Sequence, residues 1–157
     1  MKHFVHILLL SALIVLSLTS CDSVFDIHPY DTRVKGTTDL NAKNIKLIEQ
    51  LCLDKDTMHI AVISDSHQWY KDLEAEIADI NRRDSIDFVI HLGDLTDFGS
   101  TLEYSLARER LQRLRKPFVV MQGNHDCLGT GNEVYAKMFG NNDFSFIAGR
   151  VKFIMIT

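Results

Sequence analysis

The apolar residues from position 41 onward alternate between short continuous runs and longer segments with helical spacing. Three runs rich in β-branched and aromatic residues have the length of buried strands: 59–63, 88–92 and 118–121. The segments between them predict amphipathic helices, because their apolar residues recur at helical spacing. Two further strands, 144–147 and 151–156, flank a predicted turn at Gly149-Arg150. This alternation predicts an α/β fold with largely parallel strands.

Each predicted helix has an apolar stripe that we expect to face the core. The first helix is predicted to begin at a capping Asn41, and the last is a short helix over 134–139. The stripes consist of Ile45, Leu47, Ile48 and Leu51 in the first helix, Leu73, Ile77 and Ile80 in the second, and Leu102, Leu106, Leu111 and Leu114 in the third.

The first 20 residues have the pattern of a secretory signal peptide. Lys2 precedes an apolar stretch over 7–16, which is too short to cross a bilayer. The segment 18–21, Leu-Thr-Ser-Cys, resembles the bacterial lipoprotein box, which implies cleavage before Cys21 and lipidation of that residue. We therefore expect a protein of the bacterial cell envelope that is attached to a membrane by its lipid. The alternative is an ordinary signal peptide with a chance cysteine.

Residues 21–40 are predicted to be a tether between the anchor and the domain. Most of them are polar or turn-forming, without a sustained apolar period. Val24, Phe25, Ile27 and Tyr30 support an alternative, in which this segment is an irregular strand packed on the edge of the domain.

Composition narrows the class of protein. The chain has 157 residues, of which 46% are hydrophobic and 24% charged, so a disordered or fibrous protein is excluded. Seventeen Lys and Arg residues against 21 Asp and Glu residues give a net charge of −4, which argues against a basic nucleic-acid-binding surface. Three cysteines are too few for a disulfide-built scaffold. Neither composition nor pattern specifies an oligomeric state.

Side chains that bind metals follow each of the three predicted parallel strands. Because the carboxyl ends of parallel strands meet at one edge of a sheet, we expect these groups to converge. An isolated Asp at one strand exit would indicate only a turn or a helix cap. The groups are Asp65 and His67 after the first strand, Asp94 and Asp97 after the second, and Asn124, His125 and Asp126 after the third.

The ligand types predict the chemistry of this edge. Carboxylate, imidazole and amide oxygen suit Mn, Fe or Zn, and the chain has no thiolate set for a structural zinc. A carboxylate such as Asp94 can bridge two cations, which together activate a shared water and hold phosphate oxygens. A neighbouring histidine can then protonate the leaving alkoxide. His91, inside the second strand, is expected to be a buried and hydrogen-bonded residue rather than a ligand.

Three segments, 65–67, 93–97 and 123–126, resemble the first three motifs of the calcineurin-like metallophosphoesterases. They read Asp-Ser-His, Gly-Asp-Leu-Thr-Asp and Gly-Asn-His-Asp, in the order and at the spacing of that family. The resemblance extends from about residue 57 to the end of the sequence. It implies a sandwich of two mixed β-sheets flanked by helices, two divalent metal ions, and hydrolysis of a phosphoester substrate by a phosphatase or phosphodiesterase.

The resemblance also implies a role for each residue of the motifs. Asp65 and His67 would bind the first metal, Asp94 would bridge both metals, and Asn124 would bind the second. A water bridging the metals would attack phosphorus. His125 would be the acid for the leaving group, oriented by Asp97. The substrate itself cannot be read from these motifs.

The sequence departs from the family pattern after His125. The family uses three further histidines, and no histidine follows His125 here. We therefore expect residues 41–157 to be the N-terminal part of a truncated metallophosphoesterase domain, whose complete parent is the enzyme. The alternative function is a non-catalytic fragment or remnant, and the chain as given is expected to be inactive.

Overall fold

The computed structural model describes His6 and residues 28–157. Apart from His6, the predicted signal peptide and the lipidation residue Cys21 lie outside the described residues. Within the described part of the chain, every helix is too short or too polar to cross a membrane.

Within residues 28–157, four α-helices and five strands alternate, close to the positions that the hydrophobic pattern predicts. The helices are α1 (Leu40–Cys52), α2 (Tyr70–Arg82), α3 (Thr101–Leu111) and α4 (Gly131–Met138). The strands are β1 (Ile60–Ile63), β2 (Phe88–His91), β3 (Phe118–Val120), β4 (Phe144–Ala148) and β5 (Val151–Met155). One turn of 3₁₀ helix, His125–Cys127, follows β3.

The strands form two sheets. In the first, β1, β2 and β3 lie parallel in that order, and Ile63, His91 and Val120 occupy neighbouring positions at the carboxyl end. In the second, β4 and β5 form an antiparallel hairpin. This arrangement confirms the predicted α/β class with two sheets, although the described strands give one parallel and one antiparallel sheet rather than two mixed ones.

Two apolar clusters cover the opposite faces of the parallel sheet, because successive side chains of a strand point to opposite sides. On one face, Val89 and Val120 pack with residues of α2, α3 and α4. On the other, Phe88 and Val119 pack with α1 and the hairpin. The strands β2 and β3 are therefore buried on both faces, whereas the edge strand β1 leaves Val62 exposed. Functional groups of the buried strands can reach solvent only at their ends.

The stripe predicted for α1 is wrong in part. Leu47 and Leu51 are 55% and 46% exposed, and the buried face carries Asn41 and Ile48. Asn41 is not the cap, because its amide donates to the Val120 carbonyl at 2.8 Å and its side-chain oxygen accepts from the Val120 amide at 2.9 Å. The strand β3 is the edge of its sheet. These two bonds satisfy edge groups of β3 and set the rotation of α1.

The stripe predicted for α3 also needs correction. Leu111 is buried and Leu114 partly buried, as expected, but Leu102 is 47% exposed and lines a cavity with Leu106. The buried face carries Glu103, Tyr104 and Ala107 instead. The Tyr104 hydroxyl donates to the Asp126 carbonyl at 2.9 Å, so a polar contact decides which face of α3 turns inward.

The described part of the predicted tether runs along α3 and α4 without regular secondary structure. The Arg108 guanidinium of α3 donates to the carbonyls of Lys35 and Thr37, at 2.6 and 3.2 Å. Lys137 of α4 donates to the Thr32 carbonyl at 3.1 Å. Val34 packs against the core. These are contacts of the kind that the packed-edge alternative implies.

Candidate metal centre

Three of the predicted ligands converge at the carboxyl end of the parallel sheet. Each of Asp65, His67 and Asp94 offers one ligand atom, and these atoms lie within 4.8 Å of one another. Asp65 and His67 follow β1, and Asp94 follows β2. Parallel pairing of adjacent strands is the physical reason that residues distant in sequence meet here.

The backbone at these residues is held in an unusual conformation. The φ angles of Asp65, His67 and Asp94 are +54°, +41° and +53°, in the left-handed region that non-glycine residues rarely adopt. Hydrogen bonds between the two loops support it: the Asp65 amide donates to the Gly93 carbonyl at 3.1 Å, and the His67 amide to the Asp94 carbonyl at 3.0 Å. The fold therefore directs three metal-binding side chains into one place at a cost in backbone energy.

Two glycines allow the loops after β2 and β3 to touch. A Cβ atom at Gly93 would lie 2.5 Å from the Gly123 nitrogen, and one at Gly123 would lie 2.2 Å from Oδ1 of Asp94. Neither position has room for a side chain. The Gly-Asp and Gly-Asn pairs of the sequence motifs thus have a steric explanation, since any larger residue would displace Asp94.

His67 presents one defined nitrogen to the cluster. Its Nδ1 lies 2.9 Å from the Asp97 carboxylate and 3.2 Å from the Thr96 carbonyl, both of which only accept. Nδ1 therefore carries the proton, and the lone pair of Nε2 is left to bind a metal. A histidine ligand braced by a carboxylate in this way is common at metal sites.

His125 lies beside the cluster and is bonded to two of its members. Its backbone amide donates to Oδ1 of Asp94 at 3.0 Å, and its Nδ1 donates to the backbone carbonyl of Asp97 at 3.1 Å. The His67 and His125 rings meet edge to face with centroids 4.9 Å apart. Asp97 therefore contacts both histidines, His125 through its carbonyl and His67 through its carboxylate.

The other two residues after β3 have different surroundings. Asn124 is exposed at the strand exit, next to His125. Asp126 is fully buried, and its carboxylate accepts from the amides of Leu95, Thr96 and Gly123. Burial raises the pKa of Asp126, while these bonds oppose the increase. The Asp126 carboxylate joins the loops after β2 and β3 through these hydrogen bonds, so Asp126 is a structural residue rather than a ligand.

His91 supports the cluster from the core, as the sequence analysis expects. Its Nδ1 accepts from the Gly93 amide at 3.1 Å, so the proton is on Nε2, which donates to the Ser66 hydroxyl at 3.1 Å. Burial lowers the pKa of His91 to about 4, so the ring is neutral at physiological pH. It connects the loops after β1 and β2.

Glu103 is a further supporting residue that the sequence analysis does not identify. Its buried carboxylate accepts from the amides of Asp97 and Phe98, both at 3.3 Å, and from the Gln68 amide group at 3.0 Å. Burial alone would raise the pKa of Glu103, but bonds from Ser100, Asp97 and Gln68 lower it. The Ser-x-x-Glu spacing of Ser100 and Glu103 could have identified Glu103 in the sequence, because it is typical of a capping box. The structure contains that box at the start of α3.

The donor set fits a divalent cation. Two carboxylates and one imidazole lie within reach of one point, and the imidazole nitrogen that faces away from Asp97 has a free lone pair. Such oxygen and nitrogen donors suit manganese, iron or zinc. Asp65 is exposed, so burial does not support this assignment. The assignment is based on the chemistry of the donor atoms.

Comparison with known proteins agrees with the geometry. A family model described as calcineurin-like phosphoesterase matches residues 58–154, which confirms the family predicted from the three motifs. The chain is also 46% identical over 46 residues to the probable glycerophosphodiester phosphodiesterase GpdQ of Arcobacter nitrofigilis. That alignment covers 29% of this chain and 17% of the relative, so the likeness concerns a small part of the longer protein.

Proposed function

Because this chain belongs to the calcineurin-like phosphoesterase family, we propose that it is part of a metal-dependent hydrolase of phosphoesters. The observation that carries the proposal is the meeting of Asp65, His67 and Asp94 at one point, with His125 bonded to Asp94. A structural site would need neither the positive φ angles at three ligands nor a histidine held at their side.

Asp65 and His67 are proposed to hold one cation, Asp94 to contact two, and Asn124 to contribute to the second. Bound manganese, iron or zinc would activate the attacking water and offset the charge on the phosphate oxygens. Asp97 keeps the proton on Nδ1 of His67 and so leaves Nε2 for binding.

His125 is proposed to be the general acid. The Asp97 carbonyl can only accept, so Nδ1 of His125 keeps its proton in both charge states and the transferable proton is on Nε2. His125 begins the step as the imidazolium. As the water oxygen bonds to phosphorus and the water releases a proton to solvent, the bond to the leaving oxygen breaks and that oxygen takes the Nε2 proton. His125 is left as the neutral imidazole, still held by Asp97.

A phosphodiester is the first substrate class to test. This choice is supported by the name of the partial relative from Arcobacter nitrofigilis, which describes a phosphodiesterase. The alignment covers a small part of that protein, so the identity of the alcohol groups in its substrate is not transferred to this chain.

The test combines metal content with turnover, both measured in the complete enzyme of which this chain is proposed to be a part. Asp94→Asn is expected to remove bound manganese and turnover together, because Asp94 is the shared ligand. His125→Ala should keep the metal and slow hydrolysis by about 10²- to 10⁴-fold, the usual contribution of a general acid. The loss should be larger for an alkyl leaving group than for para-nitrophenolate, which needs no protonation.

Asp84→Asn and His59→Ala are the matched controls, since both residues are exposed and lie away from the cluster. Neither variant should change metal content or turnover. If His125→Ala slows hydrolysis equally for the alkyl and aryl leaving groups, His125 is not the general acid. If Asp94→Asn keeps its full manganese content, the metal assignment is wrong.

We also propose that residues 1–20 are a lipoprotein signal peptide and that lipidated Cys21 attaches the protein to a membrane of the bacterial envelope. The support is the sequence of the box, Leu-Thr-Ser-Cys. More than one acyl chain gives stable attachment. Cys21→Ser should move the protein from the membrane fraction to the soluble envelope fraction, whereas Cys127→Ser should not. Identical fractionation of Cys21→Ser and the unmodified protein would refute the anchor.

A further inference from the structure

An open cavity lies beside the metal centre, between α3 and the irregular segment 28–35. Its volume is about 690 Å³, within the range of small-molecule sites. One wall is apolar and the other includes polar and charged groups of the irregular segment. The apolar wall consists of Tyr70, Phe98, Leu102 and Leu106.

Two residues that line the cavity are chain neighbours of residues in the proposed active site. Gln68 and Phe98 line it, and each directly follows a residue of the cluster, His67 and Asp97. Consecutive Cα atoms are about 3.8 Å apart, so the rim of the cavity begins one residue from the metal centre. Glu103 bonds Gln68 and the Phe98 amide together at this rim.

The exposure of the apolar wall has no explanation in packing. Phe98, in the loop before α3, is 69% exposed, and Leu102 of α3 is 47% exposed, whereas Leu111 at the end of the same helix is fully buried. Contiguous exposed apolar groups next to a catalytic cluster are typical of a ligand site. The opposite wall carries Lys35 and the ion pair of Arg33 with Asp31, at 2.9 Å. Because Glu103 also lines the cavity, two acidic and two basic side chains balance, and the apolar wall is the feature that selects a ligand.

From this geometry we propose that the cavity binds the apolar alkyl or aryl substituent of a phosphoester whose phosphate lies at the metal centre. The inference rests on the proposed function and extends it by naming a substrate class. The apolar wall takes the substituent, and the metal centre takes the phosphate. Specificity for such esters therefore depends on α3 and the segment before it.

Binding of two phosphonates in the presence of manganese tests the pocket. Phenylphosphonate and methylphosphonate carry the same anionic group and differ in the apolar substituent. The unmodified protein should bind phenylphosphonate about tenfold more tightly, a modest preference for an apolar pocket. Leu102→Asn combined with Leu106→Asn should abolish that preference and leave the affinity for methylphosphonate unchanged.

Leu47→Asn is the control, because Leu47 is a similarly exposed leucine of α1 away from the cavity. It should retain the preference. Ser105→Trp is a second probe, since Ser105 lines the cavity and a large ring there should exclude phenylphosphonate without removing an apolar residue. Circular dichroism of each variant identifies a loss of fold.

The proposed function is measured separately, by manganese-dependent hydrolysis of bis(para-nitrophenyl) phosphate. The outcomes therefore distinguish the pocket from the hydrolase. If hydrolysis depends on His125 but the protein shows no preference for phenylphosphonate, the pocket is overturned and the hydrolase is kept. The same conclusion follows if the preference survives in both cavity variants. A phenyl preference that needs Leu102 and Leu106, without hydrolysis by the complete enzyme, would keep the pocket and overturn the hydrolase. Binding of neither phosphonate would overturn the pocket.

Discussion

At the scale of single residues, the candidate metal centre is supported by side chains outside the ligand cluster. His91 makes one hydrogen bond with each of the loops after β1 and β2: it donates to the Ser66 hydroxyl and accepts from the Gly93 amide. It can do so only as a neutral ring, because Nδ1 must accept from Gly93. A protonated His91 would lose that acceptor and carry a charge into the core.

The neutral state of His91 predicts a pH dependence of stability. Burial, opposed by the Asp65 charge and reinforced by His67, lowers the pKa of His91 from its ordinary value of about 6.5 to about 4. The unfolded chain therefore binds more protons between these values, and acidification through that window stabilises the unfolded state. From about pH 7.5 to about pH 5, His91 should remove about 2 kcal/mol from the free energy of unfolding.

Urea unfolding at both pH values, with chelator present, measures this contribution. His91→Gln should show a correspondingly smaller loss on acidification, while His59→Gln, at an exposed position, should behave as the unmodified protein. An equal acid loss in all three proteins would show that His91 is not the group responsible.

At the scale of elements, one arginine of α3 holds the irregular segment that forms a wall of the cavity. Arg108 donates to two carbonyls of that segment, those of Lys35 and Thr37. Burial lowers the pKa of Arg108 without removing its charge at physiological pH. Hydrogen bonds from a charged donor contribute about 1.5–3 kcal/mol each, enough to decide whether such a segment stays docked.

Arg108→Ala is expected to release the segment. Trypsin should then cleave after Arg33 and Lys35 at least about tenfold faster, because local opening becomes more frequent by that factor or more. Arg115→Ala is the matched control, since Arg115 is exposed and only its backbone amide makes a contact, with Asn81. Unchanged cleavage in Arg108→Ala would mean that other contacts, such as Lys137 with Thr32, suffice.

At the scale of the whole molecule, the metal centre lies where the loops of three parallel strands meet. Its occupation should therefore stabilise the entire sheet. Manganese at about 100 times its dissociation constant should add about 2.7 kcal/mol and raise the melting temperature by several degrees. Asp94→Asn should remove this increase, and Asp84→Asn should keep it. A manganese effect of the same size in Asp94→Asn would place the binding ions elsewhere.

The sequence by itself determined the order of elements, the α/β class and the convergence of three possible metal-binding residues. Strand runs and helical stripes are local patterns, and parallel pairing follows from their alternation. Asp65, His67 and Asp94 could be placed together because strands of one parallel sheet end at one edge. The Gly93 and Gly123 positions are also local signals, explained by the contact of two loops.

Only the tertiary structure decided which faces the helices turn inward and what the remaining polar residues do. Periodicity marks an apolar stripe, but the rotation of α1 depends on Asn41 satisfying the edge of β3, and that of α3 on Tyr104 bonded to Asp126. Each of these contacts joins residues 22 or more positions apart. Leu102 and Leu106 consequently face a cavity rather than the core, because pairing of buried polar groups takes precedence over the burial of every leucine.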